Sequence, residues 1–392
     1  MFVGASVFSQ LMDFVPRYEF RQIVKRHKGD HRVRCFSCWE QFLVMAFAQL
    51  TYRESLRDIE TCLRSLTPAL YHAGIRTQVS RSTLADANEH RSWKMYQDLA
   101  LALIARARVL YRQERFIRGL DSAVYALDAT NIELCLKLFP WATAPVHQAI
   151  AAGIKLHTQL DVQANLPVFA RVSRGNVNER LFLDDVVFEP GAFYIMDRGY
   201  VDFRRLKAID QAGAYFVIRG KRDLRFERLY SHVADRAWGV RADQTIRLLV
   251  PLSLHYYPDH LRRVKVCDTD TGQTIVLLTN NFLLDALTIG QLYRSRWQVE
   301  LFFKWIKQHL RIKAFYGTSF NAVSTQVWIA LATFVLVAIA KKELNLDGSL
   351  YSILQILSVT LFEKSPINEV LSAHEGPIPA PLDANQLTLF DF

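Results

Sequence analysis

Apolar residues recur along this chain in two rhythms, and the change between them falls near Gly119. Before it the pattern is helical. Glu40 to Leu50 is an almost unbroken apolar run, and Thr51 with Glu54 has capping-box spacing ahead of Leu56 and Ile59. Another helix is expected from Ser80 or Ser82 through Leu84, Trp93 and Leu99 toward Leu110. After Gly119, short continuous or alternating runs predict strands at Ala123–Leu127, Ile132–Leu136, Ala149–Leu156, Leu166–Val172, Ala192–Met196 and Ala214–Ile218. A helical stretch, Phe203–Gln211, separates the last two. Strands return at Thr245–Leu252, Arg263–Cys267 and Thr274–Leu278, and Leu284 to about Lys313 reads as one long helix.

These rhythms divide the 392 residues into four parts. They are a helical N-terminal domain at 1–118, a mixed α/β core at 119–340, a helical region at 341–375 and a Pro-rich tail at 376–392. Within the core, a β-rich insertion is expected at about 219–283. The most hydrophobic stretch, Val327–Ala340, is shorter than the roughly 20 residues that span a bilayer, and predicts a helix buried in protein. No membrane association is expected.

Charge adds a partner. The formal net charge is +10, and basic residues cluster at Arg17, Arg21, Lys25, Arg26, Lys28, Arg32 and Arg34, then at Arg106, Arg108, Arg112, Arg115 and Arg118. Such a balance favours a polyanion, nucleic acid first. Five cysteines without a leader-like N-terminus point away from a disulfide framework and toward the cytoplasm. His27, His31, Cys35 and Cys38 have zinc-like spacing, but no second Cys-x-x-Cys supports it, and thiols without metal are the default. Ser80 to His90 has the look of a recognition helix, though the turn before it is too long for a standard helix-turn-helix.

Chemistry enters with three acids. Asp128 follows Tyr125-Ala-Leu, and Asp197 follows Phe193-Tyr-Ile-Met, so each leaves the core where an apolar strand ends. Singly, each reads as an ordinary turn aspartate. On the long helix, Tyr293, Arg296, Glu300, Lys304 and Lys307 fall within an arc of about 80°, beside an apolar stripe of Leu292, Val299, Phe302, Phe303 and Ile306. A solvated face with Glu–Lys pairs explains such an arc on an arbitrary helix. On a helix this aromatic, one acid among cations better suits a metal ligand bordered by phosphate-binding groups.

The spacing Tyr293, Arg296, Glu300, Lys307 resembles the Y-x2-R-x3-E-x6-K signature of the IS4 family of DDE transposases. Asp128 in Asp-Ala-Thr and Asp197 in Asp-Arg-Gly-Tyr resemble that family's first two catalytic aspartates. The likeness spans roughly residues 120–340, and the first hundred residues resemble the helical domain that precedes the core in one subgroup. It implies an RNase H-like core and cut-and-paste transposition of an insertion sequence. It also implies two Mg²⁺ or Mn²⁺ ions on Asp128, Asp197 and Glu300, and a homodimer on paired DNA ends acting in the bacterial nucleoid. Tyr293, Arg296, Lys304 and Lys307 would then contact the DNA strand, with Trp297, and less directly Trp238, as stacking candidates. The chain departs from many relatives in reading Asn176-Val-Asn-Glu179 where they carry a His-Asp pair, and these residues take no role. A metal-dependent nuclease of the same fold, or a non-catalytic DNA-binding descendant, are the rivals. In the tail, Gln386, Leu387, Leu389 and Phe390 resemble the Gln-Leu-x-Leu-Phe peptide that binds the bacterial sliding clamp; folding back onto the protein's own core is the alternative.

Overall fold

Val124–Leu127 and Phe193–Met196 are buried apolar runs, and in a computed structural model of the chain they pair in parallel near the middle of a large sheet. The structure describes residues 4–66, 70–71, 73–76, 78–112, 122–134, 137–142, 153–234, 236, 239–267, 272–309 and 315–372. Arg115, Arg118, Trp238 and the whole 376–392 tail, with Gln386, Leu387, Leu389 and Phe390, lie outside them.

The strands are β1 (Val124–Glu133), β2 (Gly153–Asp161), β3 (Leu166–Arg174), β4 (Phe193–Met196), β5 (Tyr215–Arg219), β6 (Phe226–His232), β7 (Val240–Leu248), β8 (Leu261–Cys267) and β9 (Thr274–Thr279). Among the described residues they form one sheet in the order β3-β2-β1-β4-β5-β9-β8-β7-β6. The first three strands form an antiparallel meander, and β4 and β5 join β1 in parallel. That order and direction make an RNase H-like α/β core. The insertion does not stand apart from it: β9 pairs antiparallel with β5, so β6–β9 extend the same sheet.

Several sequence expectations change. The strand expected at Ala123–Leu127 and the start of the one expected at Ile132–Leu136 are one strand, because β1 keeps its antiparallel register with β2 from Tyr125 to Glu133; residues 135 and 136 lie outside the described residues. β6 has no apolar rhythm; Phe226-Glu-Arg-Leu-Tyr-Ser-His232 is mostly exposed and is ordered by pairing with β7. The strand expected to reach Leu252 stops at Leu248, and Pro251 starts a short helix, Pro251–Tyr256, at a position where its missing N–H costs nothing. The long helix is two, Ala286–Arg294 and Trp297–His309, broken where Ser295 turns its hydroxyl onto the Leu292 carbonyl.

Packing follows strand alternation. Tyr125, Leu127, Tyr194, Met196, Phe216 and Ile218 point to one face and bury Leu206 and Ile209 of the helix Phe203–Gln211. Asp128, even-numbered with Val124 and Ala126, points to the other face, where the helix Trp297–His309 packs against β1.

The chain divides into two compact units, Ala85–Val335 and Met1–Leu84 with Leu336–Phe392. This division differs from the sequence boundaries at 118 and 340. In the second unit the C-terminal segment closes onto the N-terminal helices: Val7 and Phe8 N–H groups donate to the Glu363 and Leu361 carbonyls, and Phe47 packs on Phe362. Thr51 caps nothing ahead of it, since its hydroxyl donates back to the Phe47 carbonyl at 2.8 Å. The working caps are Ser37 with Glu40, a full capping box, and Ser55, which accepts from the Asp58 N–H. The helix Phe320–Glu343 outgrows the expected Val327–Ala340 and is long and apolar enough to cross a membrane, yet its apolar window is wholly buried inside the protein.

Candidate active site

Register brings the first two acids together. Parallel pairing of β1 and β4 ends at Leu127 opposite Met196, so Asp128 and Asp197 are the next residues on neighbouring strands. Asp128 is not at a strand end, as its surroundings in sequence suggest, but where β1 outlasts β4. There Asp128 Oδ1 accepts the Ala129 N–H at 2.8 Å. Asp197 stands at the start of the turn Arg198–Tyr200, yet its side chain caps no backbone N–H there. It accepts the Tyr293 hydroxyl instead, at 3.3 Å.

Glu300 comes from the first turn of the helix Trp297–His309, where a negative charge suits the helix dipole. Arg296, just before that helix, donates from Nη1 to Asp128 Oδ2 at 3.0 Å and from Nη2 to Glu300 Oε1. Its guanidinium also lies 5.8 Å from the centre of the Tyr293 ring. The break between the two helices therefore does not scatter the face read from the sequence. Asp128, Asp197, Tyr293, Arg296 and Glu300 still form one connected group.

The group is poorly solvated. Burial pushes the Asp128 carboxyl up to about 6, against the pull of Arg296 and the Ala129 N–H, with the charges of Glu300 and Glu179 adding to the rise. Burial also works against the charge on Arg296, but Glu300, Tyr293 and Asp128 outweigh it and hold the guanidinium above its ordinary value. Tyr293 is raised by burial. Arg296 Nε and the Tyr200 hydroxyl are buried with no hydrogen-bond partner.

Three carboxylates from three elements offer the hard oxygen donors that Mg²⁺ or Mn²⁺ takes. Among the described residues, no three acid, histidine or cysteine side chains converge tightly enough to enclose a metal ion. The reason here is visible: a guanidinium lies between two of the acids. The donor set and its charge fit divalent cations, and Arg296 supplies positive charge where they would. The Cys35 and Cys38 thiols are likewise in no metal-holding group, Cys38 being buried at the start of its helix and Cys35 exposed.

Of the remaining site expectations, Trp297 is 46% exposed, Lys304 is exposed and Lys307 is half-buried, all on the same helix as Glu300. Arg296 is turned onto the acids rather than outward. Sequence reasoning passed over two residues that the structure brings in. Lys155 of β2, nearly buried, donates to Glu179 Oε1 at 3.2 Å, and Glu179 lies near enough for its charge to bear on Asp128. A lysine inside the buried run Gly153-Ile-Lys-Leu156 was the available signal.

Residues 119–336 match the family described as Transposase DDE domain, and residues 3–76 match a domain of unknown function, DUF4372. The chain is 33% identical over 300 residues to a protein of Sinorhizobium fredii that bears the name transposase y4zB, covering 76% of this chain and 80% of that one. It is 29% identical over 265 residues to a Geobacillus stearothermophilus protein named as transposase for insertion sequence element IS5377, covering 65% of this chain and 66% of the other. Among solved structures it resembles piggyBac transposase in a synaptic complex with hairpin DNA, at 10% identity and a TM-score of 0.46 over 97% of this chain and 85% of that one, too faint a likeness to carry an argument.

Proposed function

We propose, for a chain that belongs to the DDE transposase family, that it moves an insertion sequence of the IS4 kind by cutting and rejoining DNA at Asp128, Asp197 and Glu300. The observation that carries this is the connected group itself: three acids from β1, β4 and a following helix, bound through Arg296 and Tyr293.

Asp128, Asp197 and Glu300 would hold two Mg²⁺ or Mn²⁺ ions. When bound, such ions activate the attacking oxygen and stabilise the leaving one in an in-line displacement. The residues around them do the positioning. Tyr293 orients Asp197 through its hydroxyl, and Arg296 balances Asp128 and Glu300 until cations do so, after which its N–H groups are available to a strand phosphate. Lys304 and Lys307 lie farther along the same helix and would hold the flanking phosphates, with Trp297 exposed for stacking. The proposed sequence is hydrolysis to a 3′-OH at the element end, attack of that 3′-OH on the opposite strand to close a hairpin, hydrolysis of the hairpin to free the 3′-OH again, and strand transfer into target DNA.

Double-stranded DNA is the partner at both ends and target, and a homodimer holding paired ends is part of the proposal. The basic N-terminal segment, 1–118, would bind DNA, and its affinity would fall steeply with salt. The tail residues Gln386, Leu387, Leu389 and Phe390 would engage a sliding clamp in the bacterial cytoplasm, which a peptide of residues 382–392 mixed with purified clamp tests directly.

The deciding experiment incubates the full chain with Mg²⁺ or Mn²⁺ and DNA carrying the sequences that flank its gene. Cleavage exposing a 3′-OH, followed by joined products, is expected. Cleavage without joining would favour a nuclease of the same fold, and no cleavage on either metal would refute the proposal.

A further inference from the structure

A fourth carboxylate faces the site from a loop that the resemblance left without a role. Glu179 opens the short 3-10 turn Glu179–Asp184, after β3. Its two oxygens are used differently. Oε1 accepts Lys155 Nζ at 3.2 Å, and that ammonium, itself nearly buried on β2, donates also to the Val177 carbonyl at 3.1 Å. Oε2 lies over Gly199, so close that a Cβ added there would meet it at 3.1 Å. Gly199 sits two residues after Asp197, in the turn that carries that aspartate out of the sheet. A side chain at 199 would require the Glu179 carboxylate to give way by a few tenths of an ångström.

Lys155 holds one oxygen and the bare Gly199 admits the other, so Glu179 is fixed rather than left to wander in solvent. Its charge reaches Asp128 and the Tyr200 hydroxyl. That hydroxyl is a second, independent sign of a missing occupant, because Tyr200 is fully buried and its oxygen has no hydrogen-bond partner. A buried polar atom without a partner calls for water, an ion or a ligand group. Here it lies among Asp128, Asp197, Glu179 and Arg296, whose charges all bear on it.

We propose that Glu179, clamped by Lys155 and admitted by Gly199, is a positioning residue of this site that adds a fourth negative charge and strengthens its hold on a divalent cation. This rests on the two-metal reading above, and it assigns Glu179 no contact with the reacting atoms. Partners standing behind metal-binding groups typically change metal affinity by about 10–100-fold when removed.

The test is Mn²⁺ binding to the full-length chain without DNA, read by electron paramagnetic resonance and by calorimetry. Glu179→Gln keeps the shape and removes the charge, and should weaken Mn²⁺ about tenfold. Gly199→Ala keeps the charge and displaces it, and should weaken binding by less. Glu300→Gln is the control for the site itself. Thermal melting without metal separates a structural role, which would lower the melting temperature of Glu179→Gln while leaving the affinity of the folded fraction unchanged. If Glu179→Gln fails to fold, Gly199→Ala carries the test alone, and wild-type affinity in it overturns the proposal. Wild-type affinity in Glu179→Gln beside a loss in Glu300→Gln also overturns it and leaves the two-metal reading standing. A wild-type chain that binds no Mn²⁺ overturns both.

Discussion

Two arginines grip aspartates of the same sheet in opposite styles. In the inserted half, Arg262 of β8 grips Asp243 of β7 with two bonds, Nε to Oδ1 at 2.9 Å and Nη2 to Oδ2 at 2.7 Å. Its remaining nitrogen donates to the Asn281 and Leu284 carbonyls, and both side chains are at least nine-tenths buried. In the core half, Arg296 splits its bonds between Asp128 and Glu300, leaves Nε unpartnered, and stands near a buried tyrosine hydroxyl that is also unpartnered. The first arrangement is closed: each of the three guanidinium nitrogens donates, and the fork geometry is the one guanidinium and carboxylate prefer. The second is balanced in charge but short of hydrogen bonds. A pair that exists to hold strands together has no reason to leave donors empty, whereas a site that must exchange its cation does.

The sharpest way to break this contrast is to truncate each side and measure two things. Asp128→Ala, Asp197→Ala or Glu300→Ala should each lower DNA cleavage by roughly 10³-fold or more while the chain still melts cooperatively. Cleavage at near wild-type rate in Glu300→Ala would remove the core cluster from the chemistry. Arg262→Ala should do the reverse, costing about 3–5 kcal/mol of stability in urea by leaving Asp243 buried and alone. An Arg262→Ala chain as stable as wild type would mean that the insertion tolerates an open cluster too, and the contrast would fail.

How much of this was legible beforehand follows from the same contrast. The places of Asp128, Asp197 and Glu300 in the fold could be read because short apolar runs and a helical face announce where a polar side chain interrupts them, while their choice as a set came from the resemblance. The helix break at Ser295 could not, since Ser295 and Arg296 are ordinary helix residues and the bond from Arg296 to Asp128 that accompanies the break joins residues far apart in sequence. The union of the N- and C-terminal segments in one compact unit was equally hidden, because pairing Phe47 with Phe362 depends on contacts across three hundred residues that no local rhythm records. Glu179 was passed over because its partner Lys155 lies on a strand distant in sequence, and only the fold brings a lone buried lysine and a loop acid together. β6 was invisible since its residues keep no apolar alternation and its strand form comes from β7.

A smaller effect sharpens the core side of the comparison. Burial holds the Asp128 carboxyl at about 6 against an ordinary 3.8, so between those values the folded chain keeps a proton that the unfolded chain has lost. The stability this group contributes is therefore full below about pH 3.8 and is lost as pH rises through about 6. In chelator, Asp128→Asn should thus gain on wild type between pH 5 and pH 8, by on the order of 1 kcal/mol in urea midpoints converted at constant slope. A gap that stays constant across that range would show Asp128 to be fully compensated by Arg296, as closed a pair as the one in the insertion.

The smallest expected effect is at Tyr200, and it bears most directly on what makes the core cluster open. Its hydroxyl is buried beneath four charged side chains with no partner, a state that costs stability for as long as nothing binds there. Tyr200→Phe removes that oxygen and nothing else, since the ring belongs to the buried apolar cluster that also holds Leu127, Met196 and Leu206. In chelator the variant should be as stable as wild type or more so, by up to about 1 kcal/mol. Adding Mn²⁺ should then raise its melting temperature less than it raises that of wild type, because the hydroxyl no longer takes part in the occupied site. Loss of more than about 1 kcal/mol in chelator would mean that the hydroxyl is bonded in the metal-free protein, as a closed cluster requires. An unchanged response to Mn²⁺ would separate Tyr200 from the cation and leave its missing partner a matter of packing.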